Sequence, residues 1–443
     1  MLDCRNRIFV TIAFLAIAFS GFAQPKDNSP FSRLGLGDFT NQNYAAAIGM
    51  GGLSAAFQDA FNVNLQNPAS LGSLVATSFE IGGFAEYSNL KLNDISTTVK
   101  SGNLSYLSLA FPLRSPLNAI MERKKNKVKW GMNIAVLPFT SIGYDIQTKQ
   151  TQPNADSTTN NFLGTGGLNK VILGNGFKFK NFNFGINLGL LFGQLENKRE
   201  VLFGGLDFSF DDNFKDVISV RGFLWNFGLQ YKIDLKHKKQ KEGKADVKRS
   251  LIVGLYANAP TNFTTFSTKL RIRQNLFFGI PGLDTLVNDI DVREKGRLPA
   301  QFSLGAMYRY GNKIRVGIDY TFANWKNYKN EPKPDKLYNS QRIAAGLEFI
   351  PNIGAYKGYL NKVRYRLGAF YFDDPRTKAL KDYGFSLGFG FPLVLPRQQT
   401  SFVNLAFEIG KFGESNSIKE TYFRFTLGFT LNDNTWFFKR KFG

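Results

Sequence analysis

Cysteine is almost absent from these 443 residues; Cys4 is the only one. It precedes the apolar run from Ile8 to Phe19 rather than following it, which excludes a lipoprotein attachment site there. Histidine is equally scarce: His237 stands alone in Leu235-Lys236-His237-Lys238-Lys239. A Ser–His–Asp hydrolase needs its histidine fixed beside a nucleophile and an orienting acid, and one histidine in a Lys-rich turn offers no such cluster. Transition-metal ligands are as poorly supplied. No catalytic residue, metal or cofactor is therefore assigned. Asp211-Asp212 and Asp373-Asp374 suit at most weak Ca²⁺ contacts, and Asp373-Asp374-Pro375 reads better as the start of a turn. No stretch reaches about 18 consecutive apolar residues, which excludes a spanning helix. Ser/Pro-rich linkers and breaks in composition are missing too, so the length is not divided among small domains.

The N-terminus carries an export signal. Arg5 and Arg7 precede Ile8 to Phe19, and Gly21-Phe22-Ala23 supplies small residues for cleavage after Ala23. Cys4 leaves with it, so the mature chain has neither disulfide nor thiol chemistry. The net charge is +22. Asp3, Arg5 and Arg7 sum to one positive charge, leaving +21 on the mature chain. Basic residues are scattered over alternating positions or gathered in turns, as in Arg123, Lys124, Lys125, Lys127 and the run Lys236 to Lys248. That distribution suits solvated faces and anionic headgroups of an outer-membrane lipid surface, and it argues against nucleic acid.

What is present in quantity is period two. Ile314, Val316, Ile318, Tyr320 and Phe322 alternate with Arg315, Gly317, Asp319 and Thr321. Phe182, Phe184, Ile186, Leu188 and Leu190 alternate with Asn183, Gly185, Asn187 and Gly189. Phe423, Phe425, Leu427 and Phe429 alternate with Arg424, Thr426 and Gly428. Successive strand residues point to opposite faces, so each segment needs one apolar and one wet surrounding. A soluble sandwich supplies both; a membrane barrel supplies them inverted, with lipid outside and a polar lumen inside. The export signal, the lack of disulfides, 45 Phe and 43 Gly favour the barrel. The reading is all-β: a transmembrane antiparallel β-barrel of about 14 strands with an N-terminal hatch.

Residues 1–23 are then a signal peptide, 24–76 a hatch inside the barrel, 77–431 the barrel, and 432–443 a basic aromatic periplasmic tail. Strands fall at 77–88, 104–112, 128–148, 168–178, 182–196, 219–233, 249–273, 299–310, 313–325, 341–350, 362–373, 383–391, 400–410 and 420–431. With strand one running outward, the outer connections are 89–103, 149–167, 197–218, 274–298, 326–340, 374–382 and 411–419. The periplasmic ones include the tight turns Lys180-Asn181 and Gly311-Asn312, so the outer set is longer, as in outer-membrane barrels. Arg315, Asp319, Arg364, Arg366, Glu408 and Arg424 fall on polar faces and are assigned to the lumen. Pro138 interrupts the third strand; without an N–H it marks an edge, a bulge or a break in the wall.

Gly49-Met50-Gly51-Gly52, Asp59-Ala60 and Asn67-Pro68-Ala69 resemble the hatch signature of the FadL/TodX outer-membrane transport family. Ser29-Pro30-Phe31-Ser32-Arg33-Leu34-Gly35-Leu36-Gly37-Asp38 resembles the start of its Bacteroidetes branch, which includes PorV-like relatives. Leu137 to Tyr144 and Gly164 to Asn169 are similar to further short family patterns. The resemblance implies a 14-stranded barrel plugged by a hatch, with a hydrophobic small-molecule ligand such as a long-chain fatty acid leaving sideways through a gap in the wall. On that basis Gly49, Gly51, Gly52, Asn67 and Pro68 hold or release the plug, or only pack it. The branch also includes non-transporting subunits of outer-membrane secretion or assembly complexes, so other outer-membrane or secretion-complex proteins stand as alternative partners. A general porin is the third reading, and an apparent hatch weighs against it. If the export signal is read correctly, protein taken from the Gram-negative outer membrane begins at Gln24. An intact-mass measurement decides this, and a mass retaining residues 1–23 refutes it.

Overall fold

Alternation becomes a wall in the computed structural model, which describes residues 29–113, 123, 127–152, 155–203, 211–235, 248–277, 280–355, 357–395, 399–414 and 418–434. The expected signal peptide, the turn holding His237 and the tail from 435 onward lie outside these residues. The strands are β1 Asp38–Phe39, β2 Thr77–Leu92, β3 Ile95–Pro112, β4 Val128–Gln152, β5 Ala155–Phe179, β6 Phe182–Phe203, β7 Asp211–Leu235, β8 Arg249–Asn258, β9 Thr261–Phe277 and β10 Ile280–Leu298. They continue as β11 Gln301–Tyr310, β12 Ile314–Ala323, β13 Lys329–Asn330, β14 Ser340–Phe349, β15 Arg364–Asp373, β16 Lys381–Leu395, β17 Gln399–Gly413 and β18 Lys419–Asp433. Every neighbour is antiparallel, and β18 closes on β2 from Lys419↔Lys91 to Asp433↔Thr77. β8 with β9, and β10 with β11, each form one kinked strand; β1 and β13 are short additions. The wall is a closed barrel of 14 strands.

The membrane band shows on β6. Phe182, Phe184, Ile186, Leu188, Leu190 and Phe192 face outward, each at least 38% exposed, while Asn183 and Asn187 between them are buried. That belt has the length of a spanning strand, about 9–11 residues. Among the described residues no helix is long and apolar enough to cross a membrane.

The wall is far taller on one side than the other. β4, β5 and β7 have 25 residues each. β12, β14 and β15 have 10 each. At about 3.3 Å per residue the contrast is roughly 80 Å against 33 Å. Here the structure corrects the sequence reading. The segments 149–167 and 197–218, expected as outer loops, are largely strand, because β4 pairs β5 as far as Gln152↔Ala155 and β6 pairs β7 as far as Val201↔Asp212. The expected loop 274–298 is mostly β10, laid along β9. The expected strand 249–273 is two strands, broken at Ala259-Pro260. The physical reason is shared: above the lipid both faces of the wall are wet, so the strands lose the apolar–polar alternation that marked them.

Two seams interrupt the ladders where the tall wall leaves the short one. β3 and β4 pair only from Leu107↔Val136 to Pro112↔Gly131. Above that, β3 keeps only β2, and β4 keeps β5 after a register shift between Pro138 and Thr140. On the other side, β7 pairs β8 as far as Phe227↔Ala257 and resumes with β9 at Gly222↔Phe263. Pro260 and Pro299 sit at the kinks, where a missing N–H costs no ladder bond.

Candidate functional site

Residues 29–76 run through the barrel's interior, and what holds them there is the candidate site. Small residues allow the approach. The helical turn Ala45–Ile48 is wholly buried, and Gly51 and Gly52 follow it with φ of +70° and +78°. A side chain is strained in that left-handed region. There is also no room for one: a Cβ on Gly49 would lie 2.8 Å from Gly388 Cα, and one on Gly51 2.7 Å from Ala369 O. Gly51 N–H donates to Ser386 Oγ at 2.9 Å, and Arg342 donates to Gly51 O at 2.6 Å.

A second contact is a rung of wall glycines. Gly131, Gly176, Gly185 and Gly228 are cross-strand partners on β4, β5, β6 and β7. The 3₁₀ turn Pro68–Ser73 lies directly on them: a Cβ would meet Leu71 O at 2.2 Å from Gly131 and Pro68 O at 2.3 Å from Gly176. Asn67 caps this turn, its Oδ1 accepting from Ala69 N–H at 3.1 Å while its Nδ2 donates to Ala55 O at 2.6 Å. Asn67 and Pro68 thus anchor the segment to the foot of the tall wall.

The electrostatic centre is Asp59. Its Oδ2 accepts from Arg315 and from Arg364, each at 2.8 Å. Arg315 also lies 3.3 Å from Glu348, which accepts from Arg366 Nε at 2.8 Å. Arg366 reaches on to Asn404 at 2.9 Å, and Asn404 donates to Asn62 at 3.2 Å. All these charged side chains are at most 8% exposed. Arg315, Glu348 and Arg366 face one another in register across β12, β14 and β15, an alternation of sign that favours the pairing. Burial pushes the Asp59 carboxyl up, but Arg364 and Arg315 outweigh it and hold it well below the ordinary carboxylate range. The stability it contributes is full above the usual aspartate pKa of about 3.9 and is lost as the pH falls well below it.

The other lumen charges gather elsewhere. Asp319 accepts the Ser54 and Ala55 N–H groups at 2.5 and 2.8 Å. Glu408, Arg424 and Glu86 form a second rung across β17, β18 and β2. Arg424 lies 3.6 Å from Glu408 and donates to Glu86 at 2.7 Å. Pro138 stands at the β3–β4 seam, and its carbonyl accepts from Thr40 Oγ1 at 2.7 Å and Gln42 Nε2 at 2.8 Å. Beside it, β1 pairs with Ser141 and Thr140 and covers the free edge of β4. A cavity of about 320 Å³ lies between this seam and the Arg424 rung, lined by Asp38, Glu86, Asp374, Arg376, Asp382 and Arg424 among others. Sequence reasoning missed Glu348, Glu86, Arg342 and the glycine rung. The register of the strands, once known, would have exposed the first two.

A closed fourteen-stranded wall is an arrangement other proteins share. The family model that matches is that of BamG, over residues 5–443. The chain belongs to the BamG family. Nothing among curated proteins matches. This BamG-family chain is similar in fold to the Ralstonia pickettii toluene transporter TbuX, with 13% identity, TM-score 0.54 and coverage of 88% of this chain and 99% of that one. A Pseudomonas aeruginosa FadL homologue gives 13% identity, TM-score 0.55 and 89% and 99% coverage. The Pseudomonas putida toluene transporter TodX gives 13%, 0.52, and 89% and 99%. At that identity the likeness is one of fold, that of FadL-type outer-membrane barrels.

Two substitutions read the grip in this BamG-family barrel. Asp59→Ala leaves the buried Arg364 guanidinium without its carboxylate and Arg315 with Glu348 alone, expected to cost roughly 3–5 kcal/mol. The heat-induced shift from folded to unfolded migration in detergent gels should move to markedly lower temperature, with exposed Lys326→Ala within about 0.5 kcal/mol of the parent. An unshifted Asp59→Ala would refute the network's role. Gly185→Leu should displace the Pro68–Ser73 turn and open chymotryptic cuts at Phe57 and Phe61, checked by mass spectrometry of the limited digest.

Proposed function

We propose that this barrel is a plugged, non-transporting outer-membrane subunit that binds other proteins on its outer side. The observation that carries the reading is the grip on Asp59. Moving residues 29–76 out of the way would strip a buried carboxylate from two guanidinium groups and leave Glu348 and Arg366 exposed to an altered lumen. Breaking one such buried pair costs several kcal/mol, a heavy barrier for a passive gate. The cavity supports the same conclusion. A site for an apolar ligand is lined mainly by apolar side chains with few polar groups. The space beside the β3–β4 seam holds seven charged groups, and a hydrocarbon there would desolvate them without replacing their partners. The tall wall, by contrast, provides a large surface beyond the lipid that passage of a small molecule does not need.

The second reading is passive uptake of hydrophobic or amphipathic small molecules. It is favoured by one observation: the β3–β4 ladder stops next to Pro138, and only the two-residue β1 and its flanks cover the gap. Purification from native membranes in mild detergent, with mass spectrometry of proteins and lipids together, separates the two. A stoichiometric protein partner and no bound fatty acid or hydrocarbon is the expected result. An apolar molecule bound at one per barrel, with no partner, would replace the scaffold with the channel.

A further inference from the structure

Above the membrane belt, the inner face of the tall wall carries a row of alternating rings and guanidinium groups. Phe162 on β5 is the cross-strand partner of Arg199 on β6, Arg199 of Phe214 on β7, and Phe214 of Arg271 on β9. The Arg199 guanidinium carbon stands 5.5 Å from both ring centroids, and that of Arg271 stands 5.2 Å from Phe214. From the inner segment, Arg33 joins the row at 4.0 Å over Phe162. Arg33 and Arg199 therefore lie no more than 9.5 Å apart, the sum of their two distances to one ring. Lys333 closes the row from above, its ammonium donating to Arg33 O. Together they bound a cleft of about 250 Å³ with the Tyr144 and Asn197 side chains at its side.

The charges in this cleft do not balance. Arg271 is satisfied by Asp216 at 2.7 Å, and Lys333 lies 3.8 Å from Asp335. Arg199 donates only to the neutral amide oxygen of Asn160, at 2.8 Å. Among the described residues neither Arg33 nor Arg199 has a carboxylate within salt-bridge distance. Aromatic rings partly offset two like charges held so close, but a bound anion completes them better.

Position narrows the anion's source. The lipid belt on β6 ends at Phe192, and Arg199 lies seven residues further along, about 23 Å at 3.3 Å per residue. The headgroup region is only roughly 5–7 Å deep, and the row faces away from the lipid, so membrane phosphates do not reach it. Arg33 and Arg199, no more than 9.5 Å apart, match carboxylates three residues apart on one face of a polyproline II chain, about 9.3 Å. The Phe162 ring between them suits an apolar side chain beside the acids.

We propose that this row is the docking cleft for an acidic, partly apolar peptide segment of a partner protein. The proposal rests on the partner-binding reading above and names the partner's chemistry. The test uses the full chain in detergent and fluorescence anisotropy with a labelled decapeptide carrying glutamate at every third position and leucine between, alongside its glutamine counterpart. The double variant Arg33→Gln/Arg199→Gln is expected to weaken the glutamate peptide at least about tenfold. The pair Lys129→Gln/Lys313→Gln, at the opposite end of the barrel, should stay within about twofold. Folded migration in unheated gels confirms each barrel is intact. Equal losses in both pairs, or equal binding of the glutamine peptide, overturns the cleft. Displacement of the peptide by inorganic phosphate, where chloride of equal ionic strength has no effect, reassigns the row to a free oxyanion and also overturns it. A native partner that co-purifies undiminished with Arg33→Gln/Arg199→Gln overturns the cleft while leaving the partner-binding reading standing.

Discussion

A carboxylate held between two guanidinium groups inside a closed wall is the interaction on which this molecule turns. A fourteen-stranded barrel is too wide for its own side chains to fill, so its polar lumen must be completed by something. Residues 29–76 do this, and the completion is ionic at its centre. Asp59 neutralises Arg315 and Arg364; Glu348 neutralises Arg315 and Arg366. Each ion is stranded without the others, because an uncompensated buried charge costs more than the pair returns. The segment and the wall are thereby one cooperative unit.

Glycine makes the ionic centre reachable. Backbone meets backbone at Gly49 with Gly388 and at Pro68–Gly72 with the rung Gly131, Gly176, Gly185 and Gly228. A Cβ at these places would meet its neighbour at under 3 Å, so the segment would have to move off the wall. Arg342 would then lose Gly51 O, and Asp319 would lose the Ser54 and Ala55 amides. Close packing and charge pairing are two halves of one fit.

The sequence made the fold legible where two environments differ across a strand. The alternations at 182–190 and 313–322 register lipid against lumen, and from them the strand count and the polar face of Arg315, Arg364, Arg366 and Arg424 could be read. The signal failed at 274–298 and 149–167, where water lies on both sides and no alternation is required. The partners of the lumen charges were hidden for another reason. Asp59 sits in a segment with no period at all, and Glu348 meets Arg315 only through a register that pattern alone does not fix. The cleft at Arg199 was hidden twice over: it stands on wet strand, and its lining comes from five strands, the inner segment and the loop of Lys333.

The prolines connect these observations. A wall that rises from a barrel on one side only must shed its neighbours somewhere on each flank. β4 parts from β3 beside Pro138, and the β8–β9 and β10–β11 kinks fall at Pro260 and Pro299. Each proline stands where the ladder bond it cannot make is already missing. The break near Pro138 coincides with the departure of the tall wall. The β4 side of that break is covered: β1, Ser29 N–H on Gly143 O at 2.7 Å and Thr40 N–H on Phe139 O at 3.2 Å add to the free edge of β4. A wall built to stand above the membrane needs its free edge sealed, because an unpaired edge invites promiscuous strand pairing. The same seal sets Arg33 against Phe162, so the contact that closes the edge also completes the row of cations on the wall's inner face.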